Sequence, residues 1–190
     1  MNDRERFHAV MHYQPFDRLP ICDFGYWDET IGVWYDQGLP RDVVQSDEQV
    51  FHEFFGMDFN LRRVGSTIGV EVGLFPEFEE KRLEDRGDHE VIQQKDGVRV
   101  LRRKVMSSIP KHLGHLLVDR DSWNKYYKPR LDPATEGRYA PDLDERVPTW
   151  LDPRRTYPLF LPGGSLYGWI RNWMGLENLS YVVYDCLLYT

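Results

Sequence analysis

The residues best suited to chemistry gather in three places. The first is the stretch from Asp17 to Glu29, where Asp23 and Asp28 stand on either side of Gly25-Tyr26-Trp27. A carboxylate can accept a proton or a hydrogen bond. Tyrosine and tryptophan each offer a large apolar face with one polar handle. Glycine lets the backbone come close to another group, because no Cβ stands in the way. This combination can line a small-molecule pocket, and it can equally form a buried turn. Asp23, Tyr26 and Trp27 are candidate substrate-binding residues.

The second place is Gly65-Ser66-Thr67-Ile68-Gly69, just past a strand predicted from Phe59 to Val64. Parallel α/β folds build their sites at strand C-terminal ends. Ser66 is the candidate there, although the glycine spacing matches no phosphate-binding fingerprint. The third is Pro162-Gly163-Gly164-Ser165, between a predicted strand at Tyr157–Leu161 and a predicted helix from Leu166 to Trp173. The first N–H groups of that helix could hold an anion. Tyr167 and Arg171, one turn apart, could face a pocket together.

Metal and nucleophile chemistry find less support. His52 sits among phenylalanines with no second ligand at metal spacing, and is read as structural. His112 and His115 would share a helical face, but Pro110 and Gly114 speak against a helix there. No metal site and no catalytic residue are assigned. Cys22 and Cys186 lie far apart, and the N-terminus lacks the apolar core of a signal peptide. They are read as free thiols in a reducing cytoplasm.

At 190 residues the chain can bury a core of one ordinary domain, here expected to span 1–190. Hydrophobic residues at 41% and charged residues at 29% describe a globular chain. The balance of 24 basic against 31 acidic residues, net −7, argues against nucleic acid as a partner. No apolar run is long enough to span a membrane.

The elements follow from caps and periodicity. Asn2 with Glu5 forms a capping box before Phe7, Val10 and Met11, and Pro15 ends that helix. Ile31, Trp34 and Tyr35 make a second apolar stripe, capped by Asp28 at the front and Gly38 at the back. Ser46-Asp47-Glu48-Gln49, a second capping-box pattern, opens a third helix with Val50, Phe51, Phe54 and Phe55 on its buried face, and Gly56 stops it. Helix, glycine turn, strand is the rhythm of an α/β protein. From about 89 to 104, Val91-Ile92, Lys95-Asp96-Gly97 and Val98–Leu101 read as a β-hairpin with a type I′ turn at Asp-Gly. Its basic outer face, Arg99 to Lys104, reads as a solvated surface. Ser107 to His115 reads as a loop, and Asp121-Ser122-Trp123 opens a short helix. Pro129 to Pro158 reads as a long surface connection. Leu176, Leu179, Val183 and Leu187 mark a last helix, with no terminating signal at Tyr189-Thr190.

Arg4-Glu5-Arg6-Phe7 together with Pro15-Phe16-Asp17-Arg18-Leu19-Pro20 resembles the N-terminal signature of the uroporphyrinogen decarboxylase superfamily, which also contains the zinc- and corrinoid-dependent methyltransferases. Phe24-Gly25-Tyr26-Trp27-Asp28-Glu29-Thr30 resembles its uncharacterised bacterial branch. The similarity continues through Leu74-Phe75-Pro76, the hairpin, Ser108-Ile109-Pro110, Trp123, Lys128-Pro129-Arg130-Leu131 and Gly163-Gly164. The resemblance implies an α/β fold: the N-terminal part of a (β/α)₈ TIM barrel with an added β-hairpin.

The true decarboxylase begins its site with Met-Arg-Gln-Ala-Gly-Arg, whose arginines hold the substrate's carboxylates. The matching segment, Pro20 to Glu29, lacks both arginines and carries acids. The decarboxylase's catalytic aspartate should fall near Val64-Gly65-Ser66-Thr67, where no aspartate stands. In the methyltransferase branch a His-x-Cys pair and a later cysteine bind zinc in the second half of the barrel, outside this chain.

The resemblance implies an enzyme acting on a small molecule by corrinoid-linked methyl transfer, with zinc and a corrinoid protein supplied elsewhere. The alternatives are a uroporphyrinogen decarboxylase of porphyrin biosynthesis with a remodelled site, or a non-catalytic module needing a complementing chain. A half-barrel leaves strand edges and helix faces uncovered, which drives association. Self-association at micromolar concentration is therefore expected in sedimentation velocity, and a monodisperse monomer would contradict the half-barrel expectation.

Overall fold

A computed structural model describes residues 1–44, 46–60, 68–105, 109–161 and 163–187. Ser66 and the 61–64 end of the predicted strand lie outside them, as does the side chain of Cys186. The chain forms two compact units: Met1–Val70 with Tyr139–Pro162, and Glu71–Arg138 with Gly163–Thr190. Both helices and strands are present, so the fold is mixed α/β. Among the described residues no helix is long and apolar enough to cross a membrane.

The first unit begins with α1, Asp3–Met11. The capping box forms as predicted: Asn2 Oδ1 accepts the Glu5 N–H at 2.9 Å, and Glu5 Oε2 accepts the Asn2 N–H at 3.0 Å. The buried face differs from the apolar stripe. Arg6 and Ala9 are buried, while Met11 is 59% exposed. The helix stops at Met11, before Pro15, because Tyr13 turns into the left-handed region at φ 55°. Phe7 packs edge-on against Phe160 at 4.8 Å. Arg4 binds the segment carrying Phe160 through its backbone N–H to the Thr156 carbonyl at 2.8 Å.

That segment, 157–161, was expected as a strand and is not one. Pro158 is fully buried and brings no donor to a ladder, so the segment packs by its side chains instead.

Helix α2 spans Asp28–Asp36 and α3 spans Glu48–Phe55. Trp27, not Asp28, is the N-cap of α2, so Asp28 acts only as an acid in the first turn. Asp47, not Ser46, caps α3, its Oδ1 accepting the Val50 N–H at 3.2 Å. Gly56 ends α3 in the left-handed conformation. The two helices meet over Ile31, Val43 and Phe51, with Tyr26, Trp34, Tyr35 and Phe55 around them. Strands β1, Cys22–Asp23, and β2, Phe59–Asn60, pair in parallel, Cys22 opposite Phe59 and Asp23 opposite Asn60.

The second unit is built on an antiparallel sheet of β3, Lys81–Arg86, β4, His89–Gln93, β5, Arg99–Arg103, and β6, Lys111–Gly114, in that order. The hairpin is β4–β5, with Ile92, Val98 and Val100 packed on one side. Its turn is not type I′, which needs left-handed backbone at both central residues. Only Gly97 is left-handed, at φ 83°, and its N–H returns to the Gln94 carbonyl at 2.9 Å. This is a type I turn closed by a left-handed glycine. Asp96 supports it by accepting the Val98 N–H at 3.0 Å.

Strands β3 and β6 went unpredicted. Every residue of β3 is exposed, so Lys81–Arg86 carries no alternating apolar signal. Charge pairing suits such an edge. Asp85 accepts from Lys104 Nζ at 2.7 Å, and Glu84 from Arg86 at 2.8 Å. Arg102 reaches Glu90 at 2.9 Å, so basic residues of the hairpin are balanced by carboxylates, as a solvated face requires. Segment 111–114, read as part of a loop, pairs with β5 through its backbone.

Asp119 caps α4, Arg120–Ser122, two residues ahead of the predicted opening, and reciprocal bonds with Ser122 complete the cap. A π-turn, Trp123–Tyr127, and a 3-10 turn, Lys128–Leu131, continue it. Helix α5, Leu143–Leu151, lies inside the expected surface connection, belongs to the first unit and contains Pro148. Helices α6, Gly168–Met174, and α7, Leu176–Leu187, close the chain. Of the α7 stripe Leu179 is buried, while Leu176 and Val183 are exposed. Tyr127, Trp173, Met174, Leu117, Leu74 and Leu179 form the core of this unit.

Arg138 is buried and donates to the carbonyls of Glu71, Gly73 at 2.9 Å, Arg130 at 2.6 Å and Asp132 at 3.0 Å. A buried cation surrounded by carbonyl dipoles is satisfied without a carboxylate.

Two glycines separate turn strain from packing. Gly97 and Gly87 both lie in the left-handed region, but a Cβ at Gly87 meets open space. At Gly97 it would stand 3.0 Å from Tyr127 Oη and 3.3 Å from Leu116 and Phe78. Gly87→Ala should cost the left-handed strain alone, about 1–2 kcal/mol. Gly97→Ala should cost more, and Ile92→Ala about 2–5 kcal/mol for its cavity. Urea unfolding of the three variants checks that order.

Candidate functional site

The segment leading into β1 and the start of β2 are held by paired charges. Asp58, just before β2, accepts the Ile21 N–H on Oδ2 at 2.8 Å, while its own N–H goes to the Ile21 carbonyl at 2.8 Å. Arg18 grips the same carboxylate with both guanidinium nitrogens, Nη1 at 2.7 Å from Oδ2 and Nη2 on Oδ1. Arg6 lies behind. Its Nε and Nη2 take both oxygens of Asp17 at 2.9 and 3.0 Å, and its Nη1 is 3.1 Å from Asp3 and 3.6 Å from Asp58. Arg6, Asp17 and Arg18 are thus spent on positioning the two strands. Fork-to-fork arginine–carboxylate bonding fixes geometry as well as energy.

Asp23 then falls at the C-terminal end of β1. Its side chain is only 10% exposed. Its Oδ1 is buried without a hydrogen bond and lies 3.5 Å from Nε2 of His52, which is itself buried on α3. A buried carboxylate oxygen left without a donor is costly, so such an oxygen in a native fold asks for a role. Beside it the Tyr26 ring stacks at an angle on Trp34 at 5.0 Å and Phe51 at 5.5 Å. Its hydroxyl donates weakly to Met57 Sδ at 3.8 Å. Burial, and then the charge of Asp23, push the Tyr26 phenol up, so it stays a proton donor.

Desolvation of the sulfur, aided by Asp23 and Asp58, also pushes the Cys22 thiol up. Cys22 therefore remains a thiol at neutral pH, and is a poor nucleophile or metal ligand.

The structure brings Asp23 and Tyr26 into this neighbourhood. Trp27 is 55% exposed and contributes its carbonyl to the start of α2. Tyr167 and Arg171 belong to the second unit. Both are exposed, and Arg171 hydrogen-bonds Asn172. The expected anion site before α6 is occupied from within, since Ser165 Oγ accepts the Gly168 N–H at 2.8 Å. His112 and His115 approach to 5.3 Å between ring centroids. Among the described residues no group of three or more His, Cys, Asp or Glu could hold a metal ion. These residues do not fit a zinc site.

His52, read from the sequence as a structural histidine among phenylalanines, is buried next to Phe51 and stands beside Asp23.

Compared with models of protein families, with curated proteins and with solved structures, the chain matches none.

The charge network carries a pH signature. The hydrogen bonds from Arg18, reinforced by the Ile21 N–H, hold the Asp58 carboxyl below the usual range, and those from Arg6 do the same for Asp17. A carboxylate depressed in the folded state contributes stability fully present above about pH 4, and loses it as pH falls further. Asp58→Asn should cost on the order of 2 kcal/mol at pH 7, less than a fully buried pair because Arg18 is half-exposed. The variant should also lose less than the native protein between about pH 4 and pH 2. Urea midpoints across that range test both points, and parallel curves would contradict the assignment.

Proposed function

We propose that this chain supplies the first substrate-binding edge of an α/β enzyme of the uroporphyrinogen decarboxylase-like superfamily, acting on a small molecule. In this reading β1 and β2 are the first two strands of a (β/α)₈ barrel. The support is their parallel pairing with α2 and α3 between them, and a buried carboxylate at the strand's C-terminal end, where such folds place their sites.

The single observation that carries the proposal is Asp23 Oδ1, buried, without a hydrogen-bond donor, and 3.5 Å from His52 Nε2. An acceptor in that state is suited to a substrate N–H, O–H or S–H. His52 Nε2 lies near the same oxygen, and Tyr26 closes the side with its ring and a hydroxyl that keeps its proton. Trp27, at the start of α2, completes the proposed lining within this unit.

Methyl transfer is favoured over porphyrinogen decarboxylation by charge. Arg6 and Arg18 are committed to Asp17 and Asp58, and Asp23 would repel a polyanion. Zinc and a corrinoid would come from outside this chain, since its described residues hold no metal cluster. A corrinoid, when bound, supplies the methyl group. The residues here bind and orient the acceptor.

The test uses the protein that carries this chain. With methylcobalamin and a small thiol, loss of the methyl–cobalt absorbance should be catalysed, and uroporphyrinogen should release no carbon dioxide. Asp23→Asn should lower kcat/KM about 100-fold. Porphyrinogen turnover would replace this reading with the decarboxylase. Activity in neither assay would leave a non-catalytic module.

A further inference from the structure

The second unit contains a cavity of about 430 Å³ walled by Trp169, Trp173, Glu71, Glu77, Glu80 and Asp96. That volume is in the range of small-ligand sites. The two indoles stand 5.6 Å apart at 47°. Neither is loose. Trp173 is buried and packs on Tyr127 at 5.3 Å. Trp169 lies so close to Gly164 that a Cβ there would overlap the indole, and a Cβ on Gly73 would touch its far edge at 3.5 Å. Glycine at 164 therefore makes room for the ring, which is preorganised before any ligand arrives.

The charge of this cavity is one-sided. Four carboxylates face one ammonium, Lys95. Lys95 pairs with Glu77 at 2.9 Å, and Arg102 reaches Glu80 at 3.6 Å. Glu71 and Asp96 pair with no cation among the described residues. An anion would be repelled. A hard metal ion needs several oxygen ligands converging at about 2.0–2.6 Å, and no such group exists among the described residues. Aromatic faces with carboxylates at a distance suit a large, weakly hydrated cation, because the ring quadrupole attracts diffuse positive charge and the ring surface takes up methyl groups.

We propose that this cavity binds an alkylated ammonium group. The indoles of Trp169 and Trp173 contact its methyl or methylene groups, and Glu71 and Asp96 supply the compensating field. This inference rests on residues separate from the Asp23 site, so it stands or falls independently of the activity proposed there.

Choline is the probe, and 3,3-dimethylbutan-1-ol is its uncharged isostere. Titration by calorimetry and by tryptophan fluorescence at constant ionic strength should show saturable binding of choline. The isostere should bind about tenfold more weakly or worse. The double variant E71Q/D96N keeps the acceptor for the Val98 N–H, so it should fold normally by circular dichroism and bind choline about tenfold more weakly. Trp169→Leu should abolish the fluorescence response, and if that variant misfolds, E71Q/D96N decides. Equal binding of choline and the isostere, undiminished choline binding by E71Q/D96N, or no saturable binding would each overturn the proposal.

Discussion

The first unit depends on one carboxylate. Asp58 takes both guanidinium nitrogens of Arg18 and the backbone N–H of Ile21, and it directly precedes β2. Without it, β1 and β2 would be two-residue strands with little to set their register. The burial of Arg6 follows from the same network. A guanidinium can leave water only when its donors are met, and Asp17, Asp3 and the Met1 carbonyl meet them. That is why a charged residue, rather than Met11, occupies the inner face of α1.

The register set there decides what Asp23 can do. One residue earlier the side chain facing inward would be Cys22, whose thiol desolvation holds in its protonated form. Side chains alternate along a strand, so a slip of one position would exchange the two. With the observed pairing, Asp23 lies buried beside His52 and the aromatic cluster of α2 and α3. The tension at this point is physical. The helices need an apolar interior, and the carboxylate needs donors that this interior does not provide.

The second unit solves the opposite problem. Its cation, Arg138, is buried among carbonyls, and its Tyr127 hydroxyl donates to the Asp96 carbonyl at 3.0 Å while desolvation pushes that phenol up. Both bonds tie loops to the core that carries Trp173. The sheet's hydrophobic content is small, Ile92, Val98 and Val100, and its outer strand β3 is held by paired charges. The acids near the aromatic wall, Glu71, Glu77, Glu80 and Asp96, come from the segment before β3 and from the β4–β5 turn rather than from the strands.

The sequence by itself determined the local features, because their causes are local. The Asn2–Glu5 box, the stop at Gly56, the hairpin at Asp96-Gly97 and the helix from Leu176 are all set by residues within a turn of one another. The chain's mixed α/β character was legible for the same reason. Tertiary structure decided what depends on distant partners. The strand pairing of Lys81–Arg86 and Lys111–Gly114 shows no apolar alternation in the sequence. The non-strand fate of 157–161 follows from packing on Phe7. The turn at Gly97 lost its expected type I′ form because only one residue adopted left-handed backbone. Above all, the meeting of Asp23 with His52, twenty-nine positions later, needed two parallel strands fixed by Asp58, and no spacing along the chain encodes that distance.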